Sequence, residues 1–307
     1  MQRISVLSPA TVANLVCGFD ILGLALEEPS DLMILEKTDE PGLSIINLDD
    51  YGLPTDPEKN VAGVALLSLM DAMDNCPGLQ LSIEKRIKPG SGIGSSAASA
   101  AGAVAAANML FGEPFTPMEL VQFAMNGEKL ASGVKHADNI APCLLGGITL
   151  IRSIHPLDIV SIDPPELFVT IVHPQIEVRT SDARQILKKQ ILLKDAIRQW
   201  GNIAGLVAGL IKGDHDLIGR SLEDVIIEPV RSILIPEFAK VKQRSKEAGA
   251  LGGGISGSGP SIFMLSSSEN TANAVATEMN DIYTKAGIEY STYVTTINRS
   301  GVKKIDE

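Results

Sequence analysis

Two glycine-rich stretches carry the residue types best suited to chemistry in this chain of 307 residues. The first, Pro89-Gly90-Ser91-Gly92-Ile93-Gly94-Ser95-Ser96, runs directly into Ala97-Ala98-Ser99 and a long alanine run. A helix start leaves backbone N–H groups unpaired and carries a partial positive charge, so it attracts phosphate. Gly90, Gly92 and Gly94 let the backbone approach an anion closely, and Ser91, Ser95 and Ser96 add hydroxyl donors. The two commonest phosphate patterns are absent. No lysine follows Gly94, and the glycines fall at every other position, not in a G-x-G-x-x-G spacing. A phosphate cradle of another kind and a tight turn into a packing helix are both open on these residues alone. The second stretch, Gly249 to Leu265, holds Gly252, Gly253, Gly254, Gly257 and Gly259, more than a hairpin turn needs. Two such loops favour a ligand approached by backbone from two sides; a bulged hairpin is the other reading.

Polar residues inside apolar runs are the next candidates. "SPATVANLVCGFDILGLAL" sets Asn14 and Asp20 in an otherwise apolar passage. A buried aspartate needs a partner, from protein or ligand, unless it serves only a turn or cap. Asn60 heads a run of apolar residues at helical spacing, where asparagine is a favoured N-cap.

The elements that must position these residues follow from periodicity. "ISVL" and "LQLSIEK" (Leu79, Leu81, Ile83) alternate as half-buried strands, and Asn60–Met73 reads as a helix. Leu79–Lys85, the loop Pro89–Ser95 and the helix from Ser96 then form a strand–loop–helix unit. Thr116, Pro117 and Glu119 make a capping-box helix start, and "GGITLI" is a short strand. Composition changes at the proline-rich "HPLDIVSIDPPE", which places a boundary between domains 1–158 and 159–307. The second half predicts a strand at Leu167–Val172 and helices at Ala183–Lys189 and Leu193–Ile211. Another helix begins near Pro236, followed by two strands around "GGGISGSGPSIFML", a helix at Asn270–Ala286 and a strand "EYSTYVTT". Strands separated by helices, with antiparallel returns, indicate an α+β fold.

Bulk properties bound the function. A net charge of -11 argues against nucleic acid but not against a small anion held by a local positive site. Cys17, Cys76 and Cys143 lie far apart, fitting neither a zinc site nor a disulfide framework. The start has no secretory pattern, and the alanine-rich segment is too short and weakly hydrophobic to span a bilayer. A cytoplasmic protein with no membrane partner is expected.

"SPATVANLVCGFDILGLAL", "PGSGIGSSAAS" and "LGGGISGSGPSIF", in that order and spread, resemble the three motifs of the GHMP kinase family. The family takes its name from galactokinase, homoserine kinase, mevalonate kinase and phosphomevalonate kinase members. The first motif and "KHADN" point towards the homoserine branch. The resemblance implies a two-domain fold, with an N-terminal domain like domain 2 of ribosomal protein S5 and a ferredoxin-like C-terminal domain. It implies ATP held by Pro89 to Ser99, Asn60 on the adenine side, and Mg2+ held by Ser96 and Glu128; alone, Glu128 is a helix carboxylate of the kind that faces solvent. For L-homoserine it implies Asn14, Asp20, His136, Thr180, Arg184 and Arg231, with Glu128 and Arg184 as catalytic residues. A capping Thr180 and a satisfied loop histidine at His136 are the plainer alternatives. The set is coherent, since Asp20 suits an ammonium group and arginine grips a carboxylate in bidentate fashion. The resemblance also implies a homodimer and no indispensable base. This chain departs from the branch at Val16-Cys17, where glycine-proline is usual, which bears on the placement of Asp20. A mevalonate- or sugar-type acceptor and a non-catalytic nucleotide-binding relative are the alternative functions.

Overall fold

A computed structural model of the chain describes residues 2–178 and 180–305. Two sheets carry the molecule. The strands β1 (Arg3–Ala13), β2 (Leu22–Thr38), β3 (Leu43–Asn47), β4 (Gly78–Glu84), β5 (Ile148–Ile154) and β6 (Leu157–Ile162) belong to the first, a seven-stranded sheet. Its seventh strand, β11 (Lys303–Ile305), pairs with β1 from the far end of the chain. The order runs β11-β1-β2-β4-β3, with β5 on β2 and β6 on β5. The long β2 makes this possible, pairing β5 through Leu22–Leu24 and β4 through Leu32–Thr38. Among the described residues only β3 runs parallel to its neighbour. The expected boundary between 158 and 159 falls within β6, and the second sheet begins at Phe168.

The second sheet comprises β7 (Phe168–Pro174), β8 (Gly252–Ile255), β9 (Ile262–Ser266) and β10 (Tyr290–Thr296). Its order, β10-β7-β9-β8, is antiparallel throughout, which is the 4-1-3-2 arrangement of a ferredoxin-like unit. Helices α5 (Thr180–Gln185), α6 (Leu193–Lys212), α7 (His215–Ser221), α8 (Glu228–Arg231) and α9 (Phe238–Glu247) connect β7 to β8, and α10 (Glu269–Ala286) connects β9 to β10. Helix α5 starts earlier and ends sooner than the expected 183–189. Asp182 in its first turn and Arg184 in its last both suit the helix dipole.

On the first sheet lie α1 (Val61–Met70), α2 (Ser95–Leu110), α3 (Pro117–Ser132) and α4 (Ile140–Leu145). Helix α1 stops short of Met73 because its end tightens, with Ala72 and Met73 each donating three residues back. The capping box of α3 forms as expected, with Thr116 accepting from the Glu119 N–H and Glu119 accepting from the Thr116 N–H. Helix α2 is the centre of this layer. Fourteen of its residues are buried, because alanine side chains let β1, β2, α1 and α3 close around it. Such a helix cannot shift without repacking everything it touches. Among the described residues, no helix is long and apolar enough to cross a membrane.

Candidate active site

Strand β4 delivers the chain into the first glycine loop, and the loop opens α2 at the floor of a cleft of about 310 Å³. The loop has three left-handed glycines: φ is +77° at Gly90, +81° at Gly92 and +73° at Gly94. Gly94 is the N-cap of α2, and no side chain caps this helix among the described residues. Its first-turn N–H groups therefore meet the cleft without an internal partner from a cap. Pro89, Gly90, Gly92, Gly94, Ser95, Ser96 and Ser99 line the cleft. Ser91, Ile93, Ala97 and Ala98 do not; they are buried behind it, where the Ile93 carbonyl accepts from the Thr11 N–H at 3.1 Å.

The second glycine stretch is a hairpin, β8–β9, and its loop presses on the first loop from behind. Ser256 Oγ donates to the Gly92 carbonyl at 2.8 Å, and Ser261 Oγ donates to the Ser91 carbonyl at 2.6 Å. A Cβ on Gly92 would lie 2.4 Å from the Gly259 oxygen, so the close approach requires glycine. Gly257 and Ser258 reach the cleft itself. The expected two-sided approach to a ligand is thus mainly loop against loop.

Ser96 and Glu128 meet at the same end of the cleft, Ser96 Oγ donating to Glu128 Oε2 at 2.9 Å. Burial pushes the Glu128 carboxyl up to about 7, against the lowering effect of the Ser96 hydrogen bond. A hydroxyl and a carboxylate make an oxygen pair that suits Mg2+, which takes few protein ligands and shares phosphate oxygens. Among the described residues no group of three His, Cys, Asp or Glu side chains is placed to hold a metal. Leu53, Pro54, Val61, Ile83 and Val178 give the wall an apolar part, and Lys59 and Lys85 also line the cleft. Asn60 also lines it, but its side chain caps α1. Oδ1 accepts from the Ala62 and Gly63 N–H groups, and Nδ2 donates to the Pro54 carbonyl.

The remaining wall is charged. Arg184 donates to both oxygens of Asp20, at 2.9 and 2.8 Å, and to His136 Nε2 at 3.2 Å. Nε2 is therefore an acceptor, which leaves the His136 proton on Nδ1, 3.7 Å from Asp20. Burial holds His136 below its ordinary range; Asp20 pulls it up, and both arginines push it down. Arg231 donates to the Ala183 and Gly257 carbonyls. Burial lowers its pKa too, and Asp20 offsets part of that. Both guanidiniums stack on Phe19, at 5.5 Å for Arg184 and 4.8 Å for Arg231. Asn14 ties this wall to the hairpin. Its Nδ2 donates to the Gly257 carbonyl at 2.8 Å, while its Oδ1 accepts from the Asp20 N–H at 3.0 Å. The Thr180 side chain lies outside the described residues.

The segment at Val16-Cys17 does bring Asp20 into the cleft, at a conformational price. Asn14, Leu15, Val16 and Asp20 all have positive φ, at 73°, 40°, 66° and 62°. Cys17 is buried, with its thiol pushed up to about 12 by burial. It is a packing residue.

Sequence reasoning missed Phe19 and Asp138. Phe19 adjoins Asp20, and Asp138 sits two residues after His136 in the quoted "KHADN". Asp138 lines the cleft yet is only 5% exposed. Its carboxyl is pushed up to about 7, chiefly by burial and further by the charges of Asp20 and Glu128. Next to it, Asn139 accepts from Thr11 Oγ1 at 2.8 Å.

The family model for the GHMP kinases N terminal domain matches residues 60–147, and that for the GHMP kinases C terminal domain matches 206–285. The homoserine kinase of Chloroherpeton thalassium is 47% identical over 98% of this chain and 99% of its own length. That of Chlorobium phaeovibrioides is 47% identical over 99% of each chain. The crystal structure of homoserine kinase from Cytophaga hutchinsonii superposes with a TM-score of 0.96 at 48% identity, covering 99% of this chain and 98% of that one. With both domain matches and full-length similarity, the chain belongs to the GHMP kinase family.

Proposed function

We propose that this cleft transfers the γ-phosphoryl group of ATP to the side-chain hydroxyl of L-homoserine, giving O-phospho-L-homoserine, a step of threonine biosynthesis. One observation carries the reading. A helix N-terminus without a side-chain cap and an oxygen pair line the same cleft as charges of both signs. Phosphoryl transfer needs in-line placement and charge neutralisation more than covalent help. The first-turn amides of α2 and the serine hydroxyls hold the phosphates, and the apolar wall with Asn60 takes the base. Mg2+, held by Ser96 and Glu128, would neutralise charge on the phosphate oxygens.

The ion pair between Asp20 and Arg184 gives the acceptor end its selectivity. A zwitterion can replace it charge for charge, its ammonium going to Asp20 and its carboxylate to Arg184 and Arg231. A neutral alcohol would have to leave one of those charges unmatched. His136 and Phe19 keep the guanidiniums in place. Asp138 is a further carboxyl lining the cleft, and burial pushes it up to about 7, which suits a proton acceptor. It is the residue on which the expectation of no indispensable base turns.

ADP release with Mg2+ and ATP across homoserine, serine, mevalonate and galactose tests the assignment. Acceleration by homoserine is expected, and acceleration by mevalonate or galactose alone would refute it. ATP binding without turnover of any acceptor would leave the nucleotide-binding relative. We further propose residues 1–158 as the ATP-binding domain, 159–307 as its C-terminal companion, a cytoplasmic setting and a homodimer. Leu193, Ile197, Trp200 and Ile211 form an exposed apolar stripe on α6 that supports pairing of two copies. Light scattering on the eluted protein tests it, a monomeric mass counting against it.

A further inference from the structure

A P-loop places a lysine after its glycines to touch phosphate. This chain has none there, but it holds a nearly buried one, Lys85, beside the cradle in the lining of the cleft. Lys85 follows β4, its side chain 1% exposed, and pairs with Asp31 of β2, which is fully buried. Its ammonium group also donates to the Ser95 carbonyl at 2.8 Å and to Ser99 Oγ at 2.9 Å. An ammonium has three protons, and all three are thereby used. Lys85 has none left for a phosphate.

Besides Asp31, the acceptors of Lys85 belong to α2: the carbonyl of its first residue, Ser95, and the hydroxyl of Ser99 one turn further on. Asp31 completes a frame around it. Its Oδ1 accepts from the Arg86 N–H at 2.8 Å and the Ile87 N–H at 2.9 Å, and Ser95 Oγ donates to the Ile87 carbonyl at 2.8 Å. The frame thus joins β2, the chain leaving β4, and the residues on either side of Ser96. Replacing a buried ion pair with packed neutral residues is often neutral or stabilising, so stability alone does not account for the pair. What it supplies is geometry.

We propose that the Lys85–Asp31 pair is a positioning device for the phosphate cradle, holding the first turn of α2 at the height where its amides and Ser96 meet the nucleotide phosphates. The inference rests on the nucleotide reading of the cleft. Lys85 lines the cleft, and in this proposal it acts as a positioning residue, through the start of α2.

The test uses the full chain and the double variant Lys85→Met with Asp31→Asn. It leaves no uncompensated buried charge, and asparagine still accepts from the Arg86 and Ile87 N–H groups. Affinities for ATP and for adenosine are measured by calorimetry, with steady-state kinetics alongside. The expected result is at least a tenfold loss of ATP affinity, with adenosine affinity and the KM for homoserine within about twofold of the parent. Lys85→Arg provides the same reading with the charge retained. A planar guanidinium cannot serve these three acceptors from one point, so it too should weaken ATP and spare adenosine. Equal losses for ATP and adenosine would overturn the proposal, as would a double variant or Lys85→Arg that binds ATP like the parent. A parent chain that bound neither ligand would instead overturn the nucleotide reading, and this proposal with it.

Discussion

Gly90 and Gly92 occupy the same loop with nearly the same backbone, φ +77° and +81°, yet alanine should affect them very differently. At either position a Cβ in the left-handed region costs about 1–2 kcal/mol. At Gly90 that is the whole cost, because nothing lies within 4 Å of the new atom. At Gly92 the Cβ would sit 2.4 Å from the Gly259 oxygen and 3.0 Å from the Ser256 oxygen. The two loops must then part by about 1 Å to reach ordinary contact. That parting breaks the hydrogen bonds from Ser256 to Gly92 and from Ser261 to Ser91, at about 1 kcal/mol each. Gly92→Ala should therefore be less stable than Gly90→Ala by about 2–3 kcal/mol. A displacement of this size at a reacting centre can also lower turnover by about 10²-fold. Urea unfolding followed by circular dichroism gives the stability difference, and ADP release gives the rate. Equal midpoints and equal turnover in the two variants would refute the loop-against-loop account.

Asp20→Asn should raise the KM for homoserine ten- to hundredfold, about 1.5–3 kcal/mol for a charge-assisted contact, and leave the KM for ATP unchanged; an unchanged KM for homoserine would separate Asp20 from the ammonium. If Asp138 is the proton acceptor, Asp138→Asn should lower kcat by about 10²-fold and flatten a pH profile that otherwise rises through about 7, whereas kcat within threefold of the parent would bear out the expectation of no indispensable base. The same variant should change stability in one direction only. The folded chain retains this proton where an unfolded chain releases it, so the parent loses stability as pH rises from 3.8 to about 7. That interval is worth up to roughly 4 kcal/mol, and Asp138→Asn should be the more stable protein at pH 8 but not at pH 4. Glu128→Ala should raise the magnesium concentration needed for half-maximal rate at least tenfold, and an unchanged requirement would remove Glu128 from the metal site.

What the sequence disclosed depended on whether a residue acts through its type or through its surroundings. The capping box at Thr116, strand β4 and the start of α2 are local properties; the first stood where its residue pattern placed it, and the other two lie within one residue of the expected Leu79–Lys85 and Ser96. The chemistry of Asp138 comes from burial near two other carboxylates, which no local pattern announces. The Lys85–Asp31 pair joins β2 to the residue just after β4, and the pairing of those strands is a property of the sheet. The second glycine stretch looked like a ligand loop because glycine permits close approach without saying to what. Asn60 met its capping role, a role its position already allowed.

The left-handed run through Asn14, Leu15 and Val16 also bears on modularity. A β-branched valine does not choose that backbone; its neighbours impose it. The Asn14 N–H is taken by the Leu22 carbonyl, the Asn14 carbonyl accepts from Gly18, and Gln199 of α6 donates to the Cys17 carbonyl at 2.8 Å. The shape of this loop is thus stored outside the loop, partly in a helix some 180 positions further along the chain. Grafted onto another scaffold without those partners, residues 14–20 would relax, and Asp20 would no longer present its carboxylate where an acceptor can use it.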